Sequence, residues 1–155
     1  MVTGSMRHLL LRRPRVRDQG HVAVAGEDVL FPSIAVGWTG QAVMTFTLSG
    51  PDFFPSTAYI RIGDEEEAGN VHIIGAGVGP DDGFTGYAAF GGNGIARWGD
   101  YTAAVADKWG NVWMSTEYIG QQCTLAAFTA DTTCGGTRSM LANWGTFIGR
   151  VPSRF

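Results

Sequence analysis

The chain has 155 residues, of which 23 are glycine, 16% are charged and 12% are aromatic. Roughly twice the usual ~7% share of glycine, with few charges and many aromatics, describes a turn-rich, tightly packed β protein and excludes a coiled coil or a disordered chain. The net charge of −3 conceals an asymmetry: five of the eleven basic residues are Arg7, Arg12, Arg13, Arg15 and Arg17, and from Asp18 onward six basic residues stand against fourteen acidic ones, a balance of −8. That balance excludes a uniform nucleic-acid-binding surface.

In chain order, residues 1–18 read as a flexible basic tail or a start artefact, with its arginines available to an anionic partner. Residues 19–155 read as one domain. Leu9-Leu10-Leu11 is too short for a leader core, and no apolar run approaches the ~18 residues of a membrane span. Short alternating segments between turns predict strands at His21–Ala25, Ser33–Val36, Gln41–Leu48, Ala58–Ile62, Val71–Gly75, Thr102–Ala106, Asn111–Tyr118 and Thr146–Val151. In Gln41–Leu48, Ala42, Met44, Phe46 and Leu48 take one face, and Val43, Thr45 and Thr47 take the other. Ser-Gly-Pro-Asp at 49–52, Gly-Pro-Asp-Asp-Gly at 79–83 and Gly-Gly-Asn-Gly at 91–94 supply the reversals. Asp64-Glu65-Glu66-Glu67 reads as an exposed loop, because four like charges repel one another and favour water.

Residues 33–45 match residues 102–115 with one inserted residue, pairing Val36 with Val105, Gly40 with Gly110, Met44 with Met114 and Thr45 with Ser115. Each copy is a strand, a glycine-closed turn and a strand. A spacing near 70 residues is too long for a helical solenoid and suits one four-stranded sheet per repeat. Trp38, Trp98, Trp109 and Trp144 are each followed by Gly immediately or one residue later, which is the aromatic-glycine punctuation of propeller blades. The predicted fold is therefore all-β, with antiparallel four-stranded sheets resembling β-propeller blades in about two repeats, or a collapsed β-sandwich.

The densest set of chemically active side chains is Arg97-Trp98-Gly99-Asp100-Tyr101. An indole stacks on the apolar face of a sugar while Arg and Asp hydrogen-bond its hydroxyl or carboxylate groups, so Arg97 and Trp98 are candidate ligand-binding residues; the competing reading is an Arg97–Asp100 pair that locks one blade to the next. Asp100, Glu117 and Tyr101 are candidate catalytic residues, since a glycosidase uses two carboxylates or a Tyr activated by one. Tyr118 is a further ligand-binding candidate, yet adjacent strand residues point to opposite faces, which separates it from Glu117. Asp81 and Asp82 offer carboxylates to Ca²⁺ without the spaced ligands of an EF-hand loop, so a solvated turn is the preferred reading and no cofactor is expected. There is no Gly-x-Ser-x-Gly elbow, and His72 reads as a packed strand residue. Gly75-Ala76-Gly77-Val78-Gly79 lacks the spacing of a phosphate loop. Cys123 and Cys134 have no zinc-ligand companions and read as a disulfide, which implies a secreted or periplasmic protein.

Phe31-Pro32-Ser33-Ile34-Ala35-Val36, Met44 to Gly50, Gly79 to Phe84, Arg97 to Tyr101, Trp113 to Ile119 and Asn143-Trp144-Gly145-Thr146 together resemble the C-terminal portion of bacterial secreted, sialidase-like β-propeller proteins, over roughly Gln19 to Val151. The resemblance implies a propeller fold more than an activity, since function resides in sites rather than folds. Of the sialidase machinery, it assigns an arginine role to Arg97 and a tyrosine role to Tyr118. Asp107 to Trp113 echoes the Ser-x-Asp-x-Gly-x-Thr-Trp box without its Ser and Thr. Three functional readings follow: glycan or small-molecule binding after self-association, a hydrolase acting on a glycosidic or ester bond, and a structural fragment of a larger secreted protein. Two blades leave sheet faces open, and three copies would close a six-bladed ring, so a homo-oligomer is expected, with a trimer as one form.

Overall fold

A computed structural model describes residues 20–63, 69–83, 86–134, 138 and 140–153. The basic segment 1–18 and the acidic run Asp64–Glu67 lie outside the described residues. The architecture is all-β: seven strands in two antiparallel sheets, with a single short α-helix among the described residues. Strands β1 (Asp28–Val36), β2 (Ala42–Ser49), β3 (Ser56–Ile62) and β4 (His72–Gly75) form the first sheet as a meander in chain order. Strands β5 (Ala103–Ala106), β6 (Val112–Tyr118) and β7 (Gly145–Val151) form the second. Helix α1 (Leu125–Ala130) lies in the connection between β6 and β7.

Three local departures from the sequence expectation have identifiable causes. Strand β1 begins five residues earlier than the predicted Ser33, because a bulge between Leu30 and Ser33, with Phe31 at φ 49°, resets the register and lets the strand resume past Pro32. His21–Ala25 makes only an isolated bridge, Val24 to Glu27, and serves as a strap instead. Its Val22 and Val24 lie with Val29 and Phe53 over Phe46, Leu48, Ala58 and Ile60 on the outer face of the first sheet. Helix α1 has six residues, too short to register as a 3.6-residue period; Thr124 caps it by accepting from the Ala127 N–H at 3.2 Å.

The sheets pack face to face, β1 against β5 and β2 against β6. Ala35 and Val43 from the first sheet meet Val112, Met114 and Val151 from the second. Four buried threonines join them. Thr45 Oγ1 donates to the Ala58 carbonyl at 3.0 Å and lies 2.9 Å from Thr116 Oγ1, while Thr57 Oγ1 donates to the Thr116 carbonyl at 3.3 Å and Thr47 Oγ1 to that of Glu117 at 3.4 Å. These bonds satisfy hydroxyls that would otherwise be buried at a cost of about 1–3 kcal/mol each.

The internal repeat needs no inserted residue. Ser33 pairs with Thr45 and Val36 with Ala42 in the first hairpin, and Ala103 pairs with Ser115 and Ala106 with Val112 in the second. Val36 thus corresponds to Ala106, not Val105, and the offset is 70 residues throughout. Both turns are closed alike: Gly37 N–H bonds to Gln41 O at 2.8 Å and Asp107 N–H to Asn111 O at 2.8 Å, with Gly40 and Gly110 at φ 88° and 87°.

Equivalent residues nevertheless face opposite ways. Ala35 and Val43 are buried between the sheets, whereas their counterparts Val105 and Trp113 are 61% and 43% exposed on the far side of the second sheet. This parity switch follows when two like hairpins stack in the same sense, turn beside turn, so that the lower face of one meets the upper face of the next. The adjacent turns touch: a Cβ on Gly37 would lie 2.9 Å from the Gly110 carbonyl, and one on Gly110 would lie 2.5 Å from Trp38 Nε1. No helix among the described residues is long and apolar enough to cross a membrane.

Candidate functional site

The loop before β5 and the end of β6 meet at one end of the second sheet. Glu117 projects from β6 toward Gly99; a Cβ on Gly99 would lie 2.7 Å from Glu117 Oε2, so glycine permits the approach, and the Gly99 N–H donates to that carboxylate. Burial pushes the Glu117 carboxyl above its ordinary value, and the neighbouring negative charges of Asp100 and Asp81 push the same way. Arg97 pairs with Asp100 three residues on, at the exposed rim. That pairing is solvent-facing and does not lock one sheet to the other.

Behind this rim lies a pocket of about 430 Å³ whose walls include Leu30, Phe53, Phe54, Pro80, Asp81 and Trp98. Trp98 is half-buried, and its indole N–H is shielded from solvent without an acceptor among the described residues. Asp81 on the opposite wall is raised from its ordinary value, first by burial and then by Asp82, against the lowering influence of the Gly83 N–H and Arg138. The Trp98 indole and the Asp81 carboxyl therefore line a partly enclosed, largely apolar space, with Glu117 close by at the rim. Such a set can stack on a ring and exchange hydrogen bonds with hydroxyl groups.

Of the residues singled out in the sequence, Arg97, Trp98, Asp100 and Glu117 come together here. Tyr101 is 85% exposed beside Arg97. Tyr118 points away: its ring meets Phe147 edge-on, with centroids 5.8 Å apart, on the face of β6 opposite Glu117. His72 stacks on Tyr59 at 4.7 Å within the first sheet. Asp81, read as part of a solvated turn, is a wall of the pocket; nothing in the linear spacing links it to Glu117, 36 residues away by number.

Asp82 does not behave as a solvated turn residue either. Its carboxylate accepts from the Leu125 N–H and from Arg138 Nη1 at 3.2 Å. The Arg138 side chain is fully buried and also donates to the carbonyls of Cys123 at 2.9 Å, Asp82 at 2.9 Å and Met140 at 3.1 Å. Asn143 adds a second clasp, donating to Pro80 O at 3.0 Å and accepting from the Asp82 N–H at 2.9 Å. Together they hold the 79–83 loop, and with it Asp81, against the β6–β7 connection. Cys123 and Cys134 are bonded as a disulfide around α1, with Cα atoms 6.2 Å apart. Asp107 serves the other end of the sheet, accepting from the Trp109 and Asn111 N–H groups, the Asn111 amide and Trp113 Nε1. The echo of a sialidase-type box is thus a turn lock. In the first hairpin Gly37 occupies that position and offers no carboxylate.

No family model, curated protein or solved structure matches the chain.

Proposed function

We propose that this chain is a sialidase-like β-propeller segment of two blades that binds a glycan in the pocket between Trp98 and Asp81, and that it does so as a self-associated protein outside the cytoplasm. The observation that carries the reading is the half-buried indole of Trp98 on the wall of a largely apolar pocket that also holds Asp81. A pyranose suits such a wall because it offers C–H groups to the indole and hydroxyl groups to the Asp81 carboxyl. Two sheets stacked in the same sense, at an offset of 70 residues, support the blade reading. The disulfide supports an oxidising compartment. Calorimetric titration against a panel of neutral and acidic oligosaccharides tests the proposal: a saturable heat is expected with the native chain and at least a tenfold loss with Trp98→Ala, corresponding to about 1.4 kcal/mol. Equal affinity of a folded Trp98→Ala variant would refute it.

A second reading, a hydrolase acting on a glycosidic or ester bond, is favoured by the raised Glu117 and Asp81 carboxyls beside the Arg97-paired Asp100. Carboxyls whose proton affinity is raised by burial are the raw material of general acid–base catalysis. Chromogenic glycosides and esters separate turnover from binding. Turnover that survives both Asp100→Ala and Glu117→Ala in folded protein would remove this reading.

A further inference from the structure

We propose that the outer face of the β5–β6–β7 sheet is a self-docking surface that joins two copies of this chain about a two-fold axis close to Ser115. The proposal rests on the self-association stated above and gives it a surface and a symmetry. The face carries two cross-strand rows, Val105–Trp113–Arg150 and Ala103–Ser115–Ile148. Ile148 is 68% exposed and Val105 is 61% exposed. Contiguous apolar side chains on a flat sheet face, unlike scattered ones, mark an interaction surface.

Seventy residues earlier, Ala35 and Val43 occupy the positions of Val105 and Trp113, and Tyr59 pairs with Thr45 as Ile148 pairs with Ser115. Those first-sheet positions are covered by the second sheet. The second sheet presents the same positions to solvent, so the internal interface continues outward with one half unused.

Its complement in a same-sense stack is the outer face of the first sheet. That face is occupied over Phe46, Leu48, Ala58 and Ile60 by the chain's own strap and loop through Val22, Val24 and Phe53 and is exposed at its turn end at Ile34 and Val36, so a second copy cannot lie along its whole length in the same sense, as a three-copy ring would need. Among the described residues the β5–β6–β7 face of a second copy has no such strap over it, and a surface that pairs with itself does so about a two-fold axis. The charges fit such an axis. Trp113, Ser115 and Glu117 share the outward side of β6; Arg150 stands beside Trp113 at one end, and Glu117 lies at the other. A two-fold perpendicular to β6 through Ser115 sets Arg150 and Trp113 of one copy opposite Glu117 of the second, cation facing anion.

Sedimentation equilibrium of the full chain at micromolar concentration is expected to give a dimer mass. Ile148→Glu and Val105→Glu, both at exposed positions, should each weaken dimerisation by about tenfold or more with unchanged thermal melts. Ser115→Cys supplies a thiol on the axis and should form an intermolecular disulfide, seen as a dimer band on a non-reducing gel. A monomer or trimer mass for the native chain, a dimer indifferent to both substitutions, or failure of Ser115→Cys to cross-link would each overturn the proposal. Glycan titration of the monomeric Ile148→Glu chain reads the Trp98 pocket separately, so failure of the dimer and failure of the ligand site remain distinguishable.

Discussion

The hydroxyls of Thr45 and Thr116 lie 2.9 Å apart across the interface between the two sheets, both fully buried. Thr45 has one hydroxyl hydrogen and uses it on the Ala58 carbonyl, so Thr116 is the donor to Thr45. A single proton orientation thus ties β6 to β2 and, through Ala58, to β3. Since sheets of this kind otherwise slide on apolar contacts, the bond contributes to register between them as well as to stability.

A double-mutant cycle measures that bond. Thr116→Val removes the donor but leaves Thr45 bonded to Ala58, so a loss of about 1 kcal/mol is expected; Thr45→Val strands the Thr116 hydroxyl and should cost more, about 1–3 kcal/mol. The coupling energy from urea unfolding of the two singles and the double is expected to be about 1 kcal/mol, and additivity of the singles would mean that the hydroxyls do not interact.

Arg138 holds the loop that positions Asp81. Its guanidinium is buried and bonded to four carbonyls and the Asp82 carboxylate, so truncation exposes unsatisfied acceptors and an unpaired acid. Arg138→Met is expected to destabilise the protein by about 3–5 kcal/mol in chemical denaturation. Asp82→Asn keeps an acceptor for the Leu125 N–H and should cost distinctly less.

Two carboxyls raised and two lowered give stability an acid maximum. Glu117 and Asp81 have folded values above their ordinary 4.5 and 3.8, so the folded state binds their protons more tightly and stability rises as pH falls through those folded values. Asp107 and Asp131, held below the ordinary 3.8 by hydrogen bonds within their turns, contribute stability above that value that is lost as pH falls through their folded values. The melting temperature should therefore increase from neutral pH into the mildly acidic range and fall below it. Glu117→Gln should flatten the rising limb, and a rising limb identical to that of the native chain would contradict the assignment.

Reduction isolates the disulfide. Cys123 and Cys134 are 11 residues apart, and closing a loop of that size stabilises by about 3 kcal/mol in the chain-entropy model. The Cys123→Ser/Cys134→Ser protein is expected to unfold at lower denaturant by that amount, and the native chain should show two fewer free thiols before reduction than after. Two free thiols in the unreduced protein would contradict the pairing.

Most strands were legible because alternation, glycine and proline mark them locally: seven of the expected segments coincide with β1 to β7 to within a few residues, apart from the early start of β1. What alternation could not assign was which side is buried. Alternation sets Val43, Thr45 and Thr47 on one face of β2 without saying what covers it, and both faces are covered, one by the second sheet and one by the strap. The Arg97–Asp100 cluster and Glu117 were visible as residue types, and their meeting follows from the pairing of β5 with β6. Asp81 and Arg138 were not, because the 79–83 loop is tied through Asp82 to Leu125, Arg138 and Asn143, 43 to 61 positions away in loops that carry no periodicity.

The most direct test of the Trp98 site is a ¹H–¹⁵N NMR titration of the folded chain with any oligosaccharide that gives a calorimetric signal, observing the five indole N–H resonances. The Trp98 indole N–H resonance is expected to shift as a sugar ring stacks on the indole at the pocket wall, together with the amides of Gly99 and Asp81. Shifts confined to the exposed indoles of Trp38 and Trp109, with Trp98, Gly99 and Asp81 unmoved, would contradict the proposed site.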